Sequence, residues 1–205
     1  MKTYSLFTMT YGRNKMADNN KVEYGISNLH VGTYTDTNGV VTLGTPYAQK
    51  GAVSLSIEPE GDSNNFYADN IIYHSGFSDN GFSGSIEVAR FDDEFKTQFM
   101  GYQTLADGGL AMIKGAIRPN VYIIGQAEGN AEASRFILYN VSLGGIQREY
   151  NTIEEDKEPT TETIDITVTG DNTTGITIVS YSPSDAGYAT LFTTPPVPAL
   201  PDQSQ

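Results

Sequence analysis

The sequence predicts a mainly β protein, and three observations lead to this fold class. Apolar and polar residues alternate in short segments; in GAVSLSIEPEG at residues 51–61, Val53, Leu55 and Ile57 share one face, as in a strand with one dry side. The chain is rich in Gly, with 21 residues, and in Thr, Tyr, Val and Ile, which favour turns and strands. Only one segment has the periodicity of a helix. A length of 205 residues suits a single domain with a sizeable core.

The strands are predicted from this alternation and from the turn residues between segments. They comprise residues 22–34, 40–44, 52–58, 65–74, 82–91, 121–129, 134–143, 163–170 and 175–181. Asn38-Gly39, between the first two strands, is a strong hairpin signal. Gly129-Asn130 indicates a second hairpin, and residues 171–174 indicate a third that joins the last two strands.

The one predicted helix lies in FDDEFKTQFMG at residues 91–101. Phe91, Phe95 and Phe99 recur every four residues and form an apolar stripe. Acidic residues at its start favour the positive end of the helix dipole, and Gly101 suits its end. A Phe stripe with this spacing is typical of core packing rather than of a ligand site, so we assign it to the core.

The two ends of the chain differ from its centre in composition. Residues 1–20 contain no continuous apolar segment, so they are a poor signal peptide, and Met16 would suit an alternative start. Residues 183–205 are rich in proline and indicate an extended or disordered tail. We therefore expect an N-terminal arm at 1–20, a β domain at 21–182 and a Pro-rich C-terminal tail at 183–205.

Charge and cysteine usage exclude several classes of protein. The chain carries 25 acidic and 12 basic residues, a formal charge of −13, and its Lys and Arg are scattered, so specific DNA recognition is disfavoured. Without cysteine, disulfides, thiolate zinc sites and cysteine nucleophiles are excluded. No stretch has the apolar length of a membrane span.

Residues that could carry chemistry are few. His30 and His74 lie far apart in sequence and lack metal-site spacing, and no nucleophile elbow or phosphate-binding loop is present. The paired carboxylates Glu58/Glu60 and Glu154/Glu155 lie in acidic, turn-rich segments and are assigned as solvated. Asp36, in the Asn38-Gly39 turn, is assigned to a hairpin rather than to a calcium loop. We predict no catalytic, cofactor-binding or metal-binding residues, and hence no enzyme.

Seven segments carry a resemblance to a known family. They are KVEYGISNLHVG (21–32), TPYAQKGAVSLSIEPEG (45–61), FYADN (66–70), FDDEFKTQFMG (91–101), PNVYIIGQAEG (119–129), SRFILYNVSL (134–143) and EPTTETIDITVTG (158–170). Together they cover most of residues 21–170. In this order and spacing they resemble the phage major tail protein family, the tail-tube subunits of long-tailed, siphovirus-type phages.

This resemblance implies a fold and a function. The implied fold has two packed antiparallel β-sheets, a tail-tube sandwich or barrel, with one short flanking helix. The implied function is structural: hexameric rings stack into a hollow tube through which DNA leaves the capsid without specific binding. The implied partners are copies of the chain itself, then tape-measure and tail terminator proteins. The implied location is the phage tail, after synthesis in the host cytoplasm.

The stretch at residues 65–74 is apolar on both faces when it is counted as one strand. One face carries Phe66, Ala68 and Ile72, and the other carries Tyr67, Ile71 and Tyr73. Under the resemblance, Tyr67, Ile71 and Tyr73 are candidates for a subunit interface, since Tyr and Ile suit interfaces. The alternative is a central strand that is buried on both sides within one subunit.

The resemblance also gives the negative charge a role. Acidic side chains on a sheet that faces the lumen would repel DNA phosphates, although composition does not identify which residues these are. Segments 1–20, 60–85, 145–162 and 183–205 are candidates for contacts between rings.

Other functions compatible with the sequence belong to different classes. A monomeric β-sandwich binding module, carbohydrate-binding or adhesin-like, could use the 13 tyrosines for stacking, but the chain has no tryptophan. A capsid decoration protein or a secretion-system tube subunit would share the acidic, β-rich character. An enzyme with an unrecognised site ranks last.

Overall fold

The computed structural model describes residues 25–61, 63–68, 71–78, 80–128, 133–150 and 160–200, and only the backbone of residues 63–68 and 71–77. The elements in chain order are β1 (Gly25–Thr37), β2 (Val40–Leu43), β3 (Tyr47–Ala48), β4 (Ala52–Pro59), β5 (Ser63–Ala68), β6 (Ile71–Phe77), β7 (Phe82–Val88), α1 (Asp93–Phe99), β8 (Tyr102–Thr104), β9 (Leu110–Met112), β10 (Val121–Glu128), β11 (Arg135–Arg148), β12 (Glu162–Val168) and β13 (Ile178–Tyr181). The predicted fold class, mainly β with one short helix, is confirmed.

Nine of these strands form one large antiparallel sheet. Its strand order is β2-β1-β10-β11-β12-β7-β4, with β3 added to β1 and β13 added to β11. Two two-stranded sheets, β5–β6 and β8–β9, stand apart from it. β4 ends the strand order yet lies against β1. The large sheet therefore curls, and it encloses a core on its concave side.

The first hairpin is the one that the sequence predicts. Asn38 and Gly39 join β1 to β2 with φ angles of 54° and 82°, a backbone region that Asn and Gly adopt more readily than other residues. The backbone nitrogen of Gly39 donates a hydrogen bond to the Asp36 carboxylate at 2.9 Å. Asp36 thus serves the turn, as the sequence indicated.

The predicted hairpin across residues 171–174 is wrong. β12 pairs with the C-terminal half of β11 and β13 pairs with its N-terminal half, both antiparallel to it, so the two strands follow one another along the same side of β11. Between them Asp171 accepts hydrogen bonds from the Thr174 backbone and hydroxyl, both at 2.6 Å, and from the Tyr34 hydroxyl at 2.7 Å. Burial raises the pKa of Asp171, but these hydrogen bonds outweigh it and hold the pKa below its ordinary value. The charged carboxylate closes a turn that returns the chain to β11.

The two-faced stretch at 65–74 is not one strand. The chain reverses between Ala68 and Ile71, so β5 and β6 form a hairpin in which Tyr67 lies opposite Ile72 and Ala68 opposite Ile71. The register shifts beside Tyr67, and this leaves Tyr73 as the extra residue of a bulge. Alternation counted through the reversal therefore does not assign faces here, and the side chains of Tyr67, Ile71 and Tyr73 lie outside the described part of the chain.

The larger core lies between the concave side of the sheet and α1. Phe91, Phe95 and Phe99 are each 1% exposed, with neighbouring ring centroids 4.8 and 5.2 Å apart. They pack on buried side chains of the sheet strands, among them Val121 and Ile164. The predicted Phe stripe is confirmed as core, because one face of the helix covers the sheet.

A second core lies on the opposite side of β10 and β11. Tyr122 and Ile137 of these strands are buried there together with Leu191, which is 0% exposed. The Tyr139 hydroxyl donates a hydrogen bond to the Pro196 carbonyl at 2.9 Å. The guanidinium of Arg135 lies 3.9 and 4.5 Å from the ring centroids of Tyr188 and Phe192. Residues 183–200 are therefore not the free extended or disordered tail that their prolines indicated; apolar residues between the prolines anchor them to the sheet.

Replacing Leu191 by Ala should destabilise the protein by about 2–5 kcal/mol, because a fully buried side chain is lost and a cavity remains. The matched control is Leu200→Ala in the same segment, since Leu200 is 60% exposed, and its change should stay within about 0.5 kcal/mol. Urea unfolding followed by circular dichroism measures both. Equal effects of the two variants would show that Leu191 does not anchor the segment.

Candidate functional site: a polar sheet face

The sheet strands β11, β12, β7 and β4 carry a continuous polar surface on their side away from the core, here called the polar face. In β12 the alternation is strict: Ile164, Ile166 and Val168 are buried, whereas Asp165 and Thr167 are exposed. In β4 the residues on this side are Ser54, Ser56 and Glu58, all exposed. The wet side that the sequence predicted for residues 52–58 is confirmed.

Backbone register aligns the polar residues of the four strands in three rows. The rows are Gln147–Thr163–Glu87–Ser54, then Gly144-Gly145–Asp165–Ser85–Ser56, then Ser142–Thr167–Ser83–Glu58. Each row carries one carboxylate, and none of these positions carries Lys, Arg or an aromatic residue. The row positions therefore combine three carboxylates with neutral residues, and one cation lies at their margin, where Arg118 donates a hydrogen bond to the Gly144 carbonyl at 2.6 Å.

Hydrogen bonds hold two of the three carboxylates in place. Glu87 accepts from the Ser54 hydroxyl at 3.1 Å and from the Thr161 hydroxyl at 2.6 Å. Asp165 accepts from the amide nitrogen of Gln147 at 2.7 Å. All of these donors are neutral, so the hydrogen bonds orient the carboxylates without compensating their charge. Two of the three negative groups of the polar face are thus fixed in orientation.

The rows lie close enough for their charges to act together. Residues two apart in a strand are about 7 Å apart, and the Debye length near physiological salt is about 8 Å. Asp165 lies one row and one strand from Glu87, about 8 Å away, so the fields of these two carboxylates overlap, whereas Glu58 lies two rows from Glu87 and adds a separate negative group on the same surface. A polyanion that approaches this face is repelled by all three groups.

Gly84, on the core side of β7, allows β4 to lie close to this surface. A Cβ built at Gly84 would lie 1.9 Å from the carbonyl oxygen of Ser56, so any other residue would push β4 away. β4 is also the last strand in the order of the large sheet. Its core-side residues are only partly covered: Val53 is 50% exposed and Ile57 is 37% exposed. The predicted dry side of this strand is thus incomplete within one subunit.

Of the other residues that the sequence singled out, only some lie in the described part of the chain. His30 donates a hydrogen bond from Nδ1 to the Asn28 carbonyl at 2.8 Å, and the centroids of the His30 and Phe192 rings are 4.6 Å apart. His74 has its side chain outside the described part, as have Glu154 and Glu155. Among the described residues, no group of three His, Asp or Glu could hold a metal ion, and no helix is long and apolar enough to cross a membrane.

A cleft of about 530 Å³ beside α1 has a structural explanation. On its wall Arg148 Nε donates to Glu162 at 2.7 Å, and the other oxygen of Glu162 accepts from the Phe91 backbone at 2.8 Å. Lys96 is buried and lies 3.5 Å from the Asp93 carboxylate. Glu162 thus links Arg148 of β11 to the backbone just before α1, whereas the Lys96–Asp93 pair lies within the helix.

Sequence reasoning did not identify the acidic residues of the polar face. Alternation was visible in each strand separately, and Ser85 and Asp165 both occupy polar positions of their strands. Which polar positions become neighbours depends on strand order and register, and the 102 residues 60–161 separate β4 from β12 in the sequence. No local signal contained this information.

Comparison with known proteins gives one match to a protein family. Residues 14–172 match the family model described as phage tail tube protein, which is 159 of the 205 residues. No curated protein sequence matches the chain significantly.

Proposed function

The chain belongs to the phage tail tube protein family, and from this premise we propose that its copies form stacked hexameric rings around a channel through which DNA leaves the capsid. The protein is a structural component of the phage tail. Its partners would be other copies of itself, then tape-measure and tail terminator proteins. It would be made in the host cytoplasm and then incorporated into the virion.

The polar face is the observation that supports a channel most directly. In a hollow tube each subunit turns one surface toward the lumen. The concave side of the large sheet is covered by α1, and the opposite side of β10 and β11 is covered by residues 183–200. The polar face remains uncovered within the described chain, and we assign it to the lumen.

Chemistry also favours this assignment. DNA moving through a channel must not bind to its wall, and binding to DNA depends chiefly on Lys and Arg contacts with phosphates. The three rows have no cation and no aromatic ring on which a base could stack. Glu58, Glu87 and Asp165 would repel the phosphates over the short distance that screening permits.

The hairpin β5–β6 is the proposed subunit interface that contains Tyr67, Ile71 and Tyr73. The hairpin is separate from the large sheet, so these residues do not belong to a central strand of it. A two-stranded hairpin has little stability of its own, and contact with another subunit would supply the missing cover. The same hairpin lies within segment 60–85, one of the candidates for contacts between rings.

Family membership also bears on the other candidate functions. The phage tail tube family is structural, which points away from an enzyme. A monomeric binding module has no specific observation in its favour, since the exposed polar face lacks the aromatic residues that stack on sugars.

Purified protein, concentrated and examined by negative-stain electron microscopy, should form rings or hollow tubes of uniform width. Sedimentation over a range of concentrations should show the matching large species. A nucleus from tail tips should be added in parallel, since assembly without one is slow for some polymers. Monomers alone under both conditions, or filaments without a channel, would contradict the proposal.

Changing Asp165 to Lys should make assembled tubes retain DNA inside the channel. Tubes formed with a short fluorescent duplex should protect several-fold more DNA from nuclease than wild-type tubes, and added salt should release it. The matched control is Glu94→Lys, which makes the same charge change at an exposed position on α1. DNA that binds to Lys at position 94 would lie outside the channel, so the nuclease should digest it. Equal protection of DNA by both variants would contradict the assignment of the polar face to the lumen.

Replacing Tyr67 or Tyr73 by Asp should prevent assembly while the subunit stays folded, because a charge at a dry interface is costly. Circular dichroism reports folding, and sedimentation reports assembly. Unfolding of the variants would instead favour burial of these residues within one subunit, and unchanged tubes would exclude them from the interface.

A further inference from the structure

The end of the C-terminal segment is a short run of prolines and apolar residues with a defined backbone preference. Residues 195–200, here called the proline strip, read PPVPAL and belong to no helix or strand. Proline fixes its own φ and drives the residue before it to an extended conformation. The strip therefore favours a polyproline II helix, which has three residues per turn. Side chains three residues apart then share one face.

Burial distinguishes two faces of the proline strip. Pro198 is buried, and the Pro196 carbonyl accepts the hydrogen bond from the Tyr139 hydroxyl at 2.9 Å, so one side of the strip is held against the second core. Val197 and Leu200, which share another face, are 49% and 60% exposed. Because the strip is already anchored, a partner that covers this face would lose little conformational entropy on binding.

The cleft beside α1 has the lining that recognises such a strip. Proline-rich segments dock in grooves lined by aromatic residues, and Tyr102, Tyr150 and Leu110 line this cleft. Tyr150 is 84% exposed, so it is free to contact a ligand. The volume of about 530 Å³ lies in the range of binding pockets.

The charges of the cleft favour an uncharged occupant. Its lining contains three cations and three carboxylates, of which Lys96–Asp93 and Arg148–Glu162 are ion pairs within the subunit. The chain as a whole has a charge of −13, but residues 186–201 are its longest stretch without Asp, Glu, Lys, Arg or His. The proline strip can therefore enter the cleft without burying an additional charge.

The strip and the cleft lie on opposite sides of the large sheet. The strip packs beside the second core, whereas Tyr102 packs against the larger core on the α1 side. A contact between them thus joins two copies. We propose that Val197 and Leu200 of one copy dock between Tyr102 and Tyr150 of the next copy. This inference rests on the proposed tube, a head-to-tail assembly in which each copy must present two different surfaces that fit each other.

The absence of cysteine from the chain allows a direct test by disulfide cross-linking. Leu200→Cys and Tyr150→Cys variants, distinguished by a tag on one, are mixed, assembled and oxidised. The cross-link between them should be at least several-fold more abundant than that from the control pair of Leu200→Cys with Val40→Cys. Val40 is 67% exposed and lies outside the cleft. Tubes that form without the Leu200–Tyr150 product, or that give the control product equally, would overturn the inference.

The same experiment separates failure of this contact from failure of the tube. Cross-linked dimers at high concentration without any tubes would retain the contact and contradict the tube. Tubes without the cross-link would retain the tube and contradict the contact. The absence of both tubes and cross-link would contradict both.

A charge introduced on the exposed face supplies a second readout. Leu200→Asp should reduce tube formation several-fold with an unchanged melting temperature, because position 200 is exposed in the subunit and a carboxylate would be buried in the cleft. The matched control is Ala199→Asp, which adds the same charge at an exposed position on a different face of the strip and should assemble like the wild type. Equal assembly of the two variants would contradict the assigned face.

Discussion

The need to cover both faces of β10 and β11 determines most of this structure. From Val121 to Gly125 every residue of β10 is buried, with alternate side chains directed into two different cores. A sheet strand of this kind requires a layer on each side, because apolar side chains on both faces would otherwise meet water. The Phe stripe of α1 provides one layer. Leu191 and the residues around it provide the other.

β11 connects this doubly covered region to the polar face. Its 14 residues begin between the two cores and end in a half where only one side is dry. Two irregularities accompany the change: Asn140 has a positive φ of 52°, and the register shifts at Gly144-Gly145. Bulges of this kind bend and twist a strand. Here they allow the first half of β11 to lie between two cores and the second half to have one exposed side. The C-terminal segment covers the first half and leaves the second open, which is how a proposed lumen surface arises on a sheet that is otherwise enclosed.

The edges of the sheet explain why the subunit would need neighbours. β4 has a complete polar side and an incomplete apolar one, with Val53 and Ile57 partly exposed. The segment at residues 102–117 carries four further apolar side chains that are 41–93% exposed, those of Leu105, Met112, Ile113 and Ile117. Burial of such surface is favourable by roughly 25 cal/mol for each Å², so association through these side chains would be stabilising. In the proposed tube the inner wall would be negatively charged and the contacts between subunits would be apolar.

The sequence by itself determined the fold class, the hairpin at Asn38-Gly39, the Phe stripe of α1 and the wet side of β4, because each depends on periodicity or turn chemistry within a few residues. The order of its segments was also sufficient to indicate the family. Only the tertiary structure decided that β12 and β13 follow one another along β11, that the chain reverses within the stretch at 65–74, and that residues 183–200 cover a second core. It also decided that Glu58, Glu87 and Asp165 share one surface. These features depend on which distant segments become neighbours, and that is set by the packing of the whole chain, which local patterns do not encode.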